Sequence, residues 1–351
     1  MFKKALTVEE QRFRPDVWGM PGFEDRHIRS PLIHSGVAKS VDSFFFSESS
    51  NADTELYRYC TRRLPSIILL TVQFCKTGKR PPSANIVRQI VTKLNIPIVM
   101  FWFDIHAVEI SNIFQEYSSS ATLNILFGSN AASHLLMDVT SVNYAYTGLT
   151  FKENLFDMPS PIQDIDIGVY GTIYPDRQEY IDILRSEGFN VTTAGGIYLN
   201  GQRSEVCMDG SPLWVPYVTY LDLMRRTKIV LNSAFVSDSR HQLKGRVFES
   251  LWCRSFLLEA DNPVTCEYFT PGVDYVPFTD TKDLVSKVKK YLADDVGRDR
   301  IRLQGRATVE KYYNTKIFWG NLFEVVANIK AGKRSCKGEI WNKSYFDNQV
   351  R

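Results

Sequence analysis

The sequence lacks several features that would assign it to a specialised class of protein. Its six cysteines are scattered without the paired spacings of zinc or redox motifs, which predicts reduced and mostly buried thiols. No apolar run is long enough to span a bilayer and no signal peptide follows the charged amino terminus, so we expect a cytoplasmic protein. Internal repeats and low-complexity segments are absent. A strong charge bias is lacking too: the net charge of +3 neither requires nor excludes nucleic acid as a partner.

What the chain does contain is the alternation typical of α/β proteins. Its 351 residues, 44% of them hydrophobic, suit two globular domains of about 150 residues each. Apolar runs with the length of buried strands occur at residues 44–46, 67–72, 96–103 and 123–127. Between them, Ser83–Leu94 has the one-face apolar spacing of a helix, with Ser83 as its cap. This alternation predicts a parallel sheet covered on both faces.

The domain boundary is expected at a proline-containing seam near residues 154–163, after which the alternation of strands and helices begins again. We predict two Rossmann-like, doubly wound domains at 1–158 and 159–330 that face an interdomain cleft. A long helical segment is predicted from about residue 300 to about residue 329, and the first domain is the one nearest the amino terminus. The aromatic-containing tail at 331–351 is predicted to pack on that first domain.

The clearest chemical motif is the stretch Gln242–Ser250, which has the pattern of the opening turns of a helix. Arg246 and Glu249 are three residues apart and therefore share one helix face. A guanidinium suits a diphosphate, a neighbouring carboxylate suits a ribose diol, and a helix N-terminus adds backbone N–H groups. The alternative is a simple surface ion pair, which is common and contributes little.

A second loop, Gly171–Arg177, follows a strand and opens a helix. Glycine lets the backbone approach a phosphate, and Arg177 could reach the same anion. The three spaced glycines of a dinucleotide fingerprint are missing, so this loop on spacing alone favours an ordinary strand-to-helix turn.

Several separated motifs carry a resemblance to a known family. Residues from Tyr217 to Trp319 resemble the nucleotide-sugar domain of glycosyltransferases with the two-domain GT-B fold, in particular the spore-maturation CgeB-like group. Phage DNA β-glucosyltransferases look similar at the glycine loop and at the Arg246-to-Glu249 turn. The matching runs are Arg226–Asn232, His241–Glu249, Phe256–Glu259, Tyr268–Asp274 and Phe318–Trp319.

The resemblance implies a hexosyl or deoxyhexosyl transferase that uses a UDP- or GDP-type sugar donor and no further cofactor. Arg246 would hold the diphosphate, Glu249 would accept hydrogen bonds from the ribose, and Lys244 would add charge. Base contacts are expected around residues 216–218, and His241 is expected to face the cleft. The donor-binding residues predicted here are Gly171, Arg177, Tyr217, His241, Lys244, Arg246 and Glu249.

For the mechanism, the resemblance implies that Asp104 is the general base, because it follows an apolar strand at residues 100–103 as in the phage enzymes. An N-cap role, for a helix that begins near His106, is an equal alternative. Many retaining GT-B enzymes carry a second glutamate eight positions before the one matching Glu249, and His241 stands there instead. The pattern therefore favours an inverting, metal-independent reaction.

The acceptor is expected to be a hydroxyl group, on a glycan or another glycosylated molecule. His27 and His106 are candidate acceptor-binding residues, against ordinary loop or buried hydrogen-bonded histidines. Asp164 and Asp166 form a DxD pair, but they begin a strand rather than end one, so we interpret them as a charged strand start. Three alternatives remain: a DNA-base glucosyltransferase, a retaining GT-B enzyme, and a non-catalytic nucleotide-sugar-binding protein.

Overall fold

The computed structural model describes most of the chain. The described residues are 2–9, 25–72, 80–103, 108–128, 142–158, 162–195, 198–199, 202–203, 216–233, 235–236 and 240–349. The predicted base Asp104 and the candidate acceptor residue His106 lie outside these described residues.

The strands of the described residues include those predicted at the apolar runs and several that the sequence did not predict. They are β1 (Lys4–Glu9), β2 (Ser40–Phe45), β3 (Ile67–Leu70), β4 (Ile98–Trp102), β5 (Leu123–Phe127), β6 (Tyr144–Thr147), β7 (Ile165–Tyr170), β8 (Val191–Ala194), β9 (Tyr198–Leu199), β10 (Gln202–Arg203), β11 (Thr227–Asn232), β12 (Phe235–Val236), β13 (Arg240–His241), β14 (Phe256–Ala260), β15 (Val276–Phe278) and β16 (Lys337–Ile340).

Helices alternate with these strands, and short 3₁₀ or π turns occur at Asp25–Arg29, Phe46–Glu48, Ser118–Ser120 and Glu153–Leu155. The α-helices are α1 (Ser30–Ser35), α2 (Ala52–Arg63), α3 (Ala84–Lys93), α4 (Val108–Tyr117), α5 (Pro175–Ser186), α6 (Tyr217–Arg226), α7 (Gly245–Trp252), α8 (Pro263–Tyr268), α9 (Thr281–Ala293), α10 (Asp295–Tyr312), α11 (Thr315–Lys330) and α12 (Lys343–Gln349). Within the described part of the chain, no helix is both long and apolar enough to cross a membrane.

The chain divides into two units, each with its own parallel sheet. Unit 1 contains the described residues up to Lys152 together with those from Tyr313 onward, and unit 2 contains Glu153–Tyr312. The sheet of unit 1 has seven parallel strands in the order β16-β6-β5-β4-β3-β1-β2. The sheet of unit 2 has five parallel strands in the order β15-β14-β11-β7-β8. The prediction of two parallel-sheet α/β domains is confirmed.

Burial explains why the apolar runs form strands. Every residue of β3, β4 and β5 is buried, which is the pattern of parallel strands covered on both faces. Helix α3 begins where its sequence pattern predicted, because the Ser83 hydroxyl accepts a hydrogen bond from the Ile86 N–H at 3.3 Å.

The end of unit 2 differs from the sequence prediction in two ways. The predicted single helix at about 300–329 is two helices, α10 and α11, because the Asn314 side chain accepts from the Ile317 N–H at 2.9 Å and starts a new helix. The predicted second domain extended to residue 330, whereas α11 belongs to unit 1. The tail adds β16 to the unit 1 sheet by pairing with β6.

Candidate functional site

The candidate site lies at the carboxyl ends of the parallel strands of unit 2. Strand β7 ends at Tyr170 and is followed by Gly171, and the neighbouring strand β11 ends at Asn232. Helix α7 begins at Gly245 and carries Arg246 on its first turn. This edge of a parallel sheet, where loops meet a helix N-terminus, is where α/β domains bind ligands.

Gly171 makes room for the guanidinium of Arg246. The backbone of Gly171 has φ +88°, and a Cβ atom there would lie 2.2 Å from Arg246 Nη2. Gly195, with φ +147°, packs equally closely, since a Cβ atom on it would lie 2.1 Å from the Gly171 carbonyl oxygen. Both positions therefore need glycine, one for its close approach to a side chain and the other for its approach to the backbone.

Arg246 is held by a hydrogen-bonded chain that leads into the sheet. Its Nη1 donates to Asn232 Oδ1 at 2.8 Å, and Asn232 Nδ2 donates to Glu259 Oε1 at 2.8 Å. Burial raises the pKa of Glu259 to about 7. Arg246 Nε is buried and has no hydrogen-bond partner among the described residues. The guanidinium is thus oriented by the protein.

Glu249 is the centre of a second cluster on the same helix. Its two carboxylate oxygens accept hydrogen bonds from the Tyr217 and Tyr220 hydroxyls, each at 2.8 Å. The two tyrosine rings stack with centroids 5.8 Å apart. Burial, followed by the charge of Glu249, raises the pKa of Tyr220 well above its usual value. A carboxylate has about four acceptor positions, so Glu249 keeps capacity for further donors.

Lys244 and His241 flank the start of α7. Lys244 is the residue before the helix, and its Nζ donates to the Gln242 side-chain oxygen. His241 ends the two-residue strand β13 and pairs with Phe235 of β12. Both residues are partly exposed, and both lie just before the helix N-terminus, where an anion would bind.

Comparison with known proteins bears first on unit 2. Residues 164–322 match the family model described as "Glycosyl transferase-like". The matched segment contains Gly171, Arg246 and Glu249, the residues on which the resemblance in the sequence rested. A comparison with curated proteins found no match.

Solved structures extend the likeness to almost the whole chain. HepE of Anabaena, solved in complex with UDP, aligns at 14% identity and a TM-score of 0.63, over 93% of this chain and 100% of that one. AviGT4, a glycosyltransferase of avilamycin A biosynthesis, aligns at 12% and 0.60, over 94% and 98%. The T4 phage enzyme BGT, solved with UDP-glucose, aligns at 10% and 0.54, over 92% and 99%.

The chain has the GT-B fold. Residues 164–322, which include most of unit 2, resemble glycosyltransferases by the family match. At identities of 10–14%, the likeness to the solved structures shows the fold alone.

Arg177, which the sequence suggested as a residue that binds the donor phosphates, donates hydrogen bonds to neighbouring groups of the protein. Its Nη1 donates to the Thr172 carbonyl oxygen and its Nη2 to the Ser233 carbonyl oxygen, each at 2.5 Å, and Nε donates to Ser233 Oγ at 3.3 Å. Only 6% of the residue is exposed, and burial, reinforced by the Arg246 charge, lowers the pKa of Arg177 to about 9. Arg177 therefore braces the loop after β7 against the end of β11.

His27, a candidate acceptor residue, is a buried histidine of unit 1. Its Nε2 accepts a hydrogen bond from Arg26 Nε at 3.1 Å, so its Nδ1 donates to the Thr150 carbonyl oxygen at 3.0 Å. The ring packs edge-on against Phe151, and burial lowers the pKa of His27 well below its usual value. With 2% exposure and both nitrogens engaged, it is a structural residue rather than the lining of an acceptor site.

The DxD pair lies at the start of β7, where its carboxylates face cations. Asp164 accepts from Arg226 Nε at 2.9 Å and from Nη2 at 2.5 Å, and Asp166 forms an ion pair with Lys228 at 2.7 Å. These contacts agree with a charged strand start. Groups of three or more residues suited to hold a metal ion do not occur in the described ranges.

Four site residues were missed by sequence reasoning. Asn232 and Glu259 terminate the apolar runs of two neighbouring strands, and Tyr220 lies on α6 one turn after Tyr217. Gly195 follows β8. A rule that inspects polar residues at or next to the carboxyl end of each buried strand would have found Asn232 and Glu259, because those positions share one sheet edge.

Proposed function

We propose that this protein transfers a sugar from a UDP-sugar to an acceptor hydroxyl group. The observation that carries the proposal is Arg246, oriented between Gly171 and Asn232 and followed one turn later by the buried Glu249, in a glycosyltransferase domain. UDP is favoured over GDP because the structurally similar HepE and T4 BGT were solved with UDP or UDP-glucose.

In this proposal each donor-site residue has one task. The Arg246 guanidinium and the α7 N-terminus bind the diphosphate, and their positive charge stabilises the leaving UDP. Glu249 accepts from the ribose hydroxyls while Tyr217 and Tyr220 hold its oxygens in place. Lys244 adds charge beside the phosphates, and Tyr217 lies near the uracil base. Because fixed cations supply the charge, we propose that the transfer needs no metal.

The proposed chemistry is a single displacement with inversion. The acceptor oxygen attacks the anomeric carbon, its proton passes to the Asp104 carboxylate, and the bond from that carbon to UDP breaks. Strand β4, which leads to Asp104, is apolar and wholly buried. The role of Asp104 rests on the sequence resemblance and stays a prediction, as does membership of the CgeB-like group.

The acceptor class and the location also stay proposals. The proposed acceptor is a hydroxyl group of a glycan or of another glycosylated molecule. Four cysteines of the described residues are free thiols, three of them buried, which supports a reducing compartment such as the cytoplasm.

The first test of the proposal is a panel of nucleotides and UDP-sugars, read by thermal shift and then by titration calorimetry. UDP should raise the melting temperature, since a ligand that binds only the folded chain stabilises it. Arg246→Gln should weaken UDP binding about 10- to 100-fold, because charge-assisted hydrogen bonds contribute about 1.5–3 kcal/mol. Lys289→Gln, an exposed cation on α9, is the matched control. An enzyme that neither binds nor hydrolyses any UDP-sugar would contradict the proposal.

A second test addresses the mechanism. NMR of the transferred sugar shows whether the anomeric configuration inverts, and a chelator shows whether turnover needs a metal. Asp104→Asn should abolish transfer while UDP affinity stays unchanged. Retention of configuration, or full turnover in Asp104→Asn, would refute the assigned base without affecting the donor site.

A further inference from the structure

We propose that Asn232 and Glu259 are positioning residues that hold the Arg246 guanidinium in its donor-binding orientation. Neither residue would touch the donor; each acts through Arg246. The inference rests on the proposed function, since it assumes that Arg246 binds the diphosphate of the donor.

The sheet itself places the two residues side by side. Asn232 ends β11 and is the register partner of Glu259 on the parallel strand β14. Both are buried, with 1% and 0% of their surface exposed. Parallel strands bring register partners about 5 Å apart, so the two side chains share one face and meet without any loop to place them. The hydrogen-bonded series from Glu259 through Asn232 to Arg246 is therefore anchored in two central strands of the sheet.

The direction of the hydrogen bonds determines how Asn232 faces Arg246. Glu259 Oε1 accepts from the Asn232 NH₂ group, which leaves Asn232 Oδ1 to accept from Arg246 Nη1. Without an acceptor at position 259, the amide could rotate and present its NH₂ group to the guanidinium. Two donors would then face each other in a buried site, and Arg246 would lose its partner.

The contacts around Arg246 orient its guanidinium group. Gly171 lies against Nη2, Asn232 occupies Nη1, and Nε is without a partner among the described residues. An anion that approaches the partly exposed Arg246 finds the guanidinium already oriented, so little conformational entropy is lost on binding. A guanidinium freed from Asn232 would regain that entropy and lose affinity for the donor.

The test measures UDP binding by calorimetry in matched variants whose folding is checked by circular dichroism. Glu259→Gln keeps a side-chain oxygen that can accept from Asn232. Glu259→Met and Asn232→Leu remove the hydrogen bond between positions 232 and 259 and replace the side chain by an apolar one of similar volume. We expect the two apolar variants to weaken UDP binding about tenfold and Glu259→Gln to stay close to wild type. Ser250→Ala is the control, because Ser250 is a buried residue of α7 whose hydroxyl has no partner among the described residues.

A double-mutant cycle separates positioning from general damage. In the Arg246→Gln background, Glu259→Met and Asn232→Leu should have no further effect on UDP affinity, because their role passes through Arg246. If folded Glu259→Met and Asn232→Leu bind UDP like wild type, or if their losses persist in that background, the inference is wrong. Wild-type protein that binds no UDP would instead overturn the proposed function and this inference together.

Discussion

At the scale of single residues, the site depends on the absence of a side chain at Gly171 as much as on the side chains around it. Gly171 and Gly188 have nearly the same backbone conformation, with φ of +88° and +84°, but only Gly171 is crowded. A Cβ atom on Gly188 would meet nothing within 4 Å, whereas one on Gly171 would collide with Arg246. Substitutions at Gly171 and Gly188 therefore separate the effect of backbone strain, which both share, from displacement of the Arg246 guanidinium, which only the change at Gly171 would cause.

We predict that Gly171→Ala and Gly188→Ala both lower the free energy of unfolding, by about 1–2 kcal/mol for the left-handed backbone. Gly171→Ala should in addition weaken UDP binding at least about tenfold, because the new methyl group displaces Arg246. Calorimetric titration with UDP checks this. Equal UDP affinities in the two variants would show that the space beside Gly171 is not needed by the donor site.

A second residue-scale prediction concerns Glu259 and pH. Its pKa is about 7 in the folded protein, against an ordinary value of 4.5, so the folded chain binds a proton more tightly than the unfolded chain. The free energy of unfolding should therefore fall as pH rises from about 4.5 to 7, by about 3 kcal/mol from this group, and level off above pH 7.

The matched variant for this prediction is Glu259→Gln, which cannot titrate at that position. Hydrogen exchange of peptides from β14, followed between pH 5 and pH 8, measures the difference between the two proteins. Wild type should lose stability relative to Glu259→Gln as pH rises. Parallel pH profiles would mean that Glu259 is ionised throughout.

At the scale of elements, the break between α10 and α11 determines where the chain leaves unit 2. The apolar pattern continues through residues 312–319, so periodicity alone predicted one helix. Asn314 interrupts it, because its side chain caps the first turn of α11 in place of a backbone carbonyl. A short polar residue at a helix junction competes with the backbone in this way.

We predict that Asn314→Ala destabilises unit 1 by about 1 kcal/mol, the usual cost of losing an N-cap, while Asn314→Ser retains most of the stability. Chemical denaturation followed by circular dichroism measures both. If the Asn314→Ala variant has the same free energy of unfolding as wild type, the N-cap at Asn314 does not stabilise the break between α10 and α11.

At the scale of the whole molecule, the chain passes from unit 1 through unit 2 and back to unit 1. The returning segment supplies β16, whose following residue Trp341 is fully buried, and α12, which buries Phe346. Unit 1 is therefore built from both ends of the chain, and its sheet is incomplete without the last residues.

We predict that a chain ending at Lys333 loses cooperative folding of unit 1, since burial of Trp341 alone is worth about 3–5 kcal/mol. Limited proteolysis should cut unit 1 before unit 2. A chain ending at Gln349 is the control and should resist proteolysis like wild type. Equal resistance of the Lys333-terminated chain would show that β16 and α12 are dispensable.

The amino-acid sequence by itself determined the class of fold, the strands that form at the apolar runs, and the placement of Arg246 and Glu249 on one helix. Strand and helix periodicity and helix spacing are local, so neighbouring residues suffice to predict them. Only the tertiary structure decided that Arg177 and His27 are internal, that Tyr217 and Tyr220 hold Glu249, and that Asn232 and Glu259 stand behind Arg246. These contacts join residues distant in the chain, and parallel-strand register, which no local pattern encodes, brings them together.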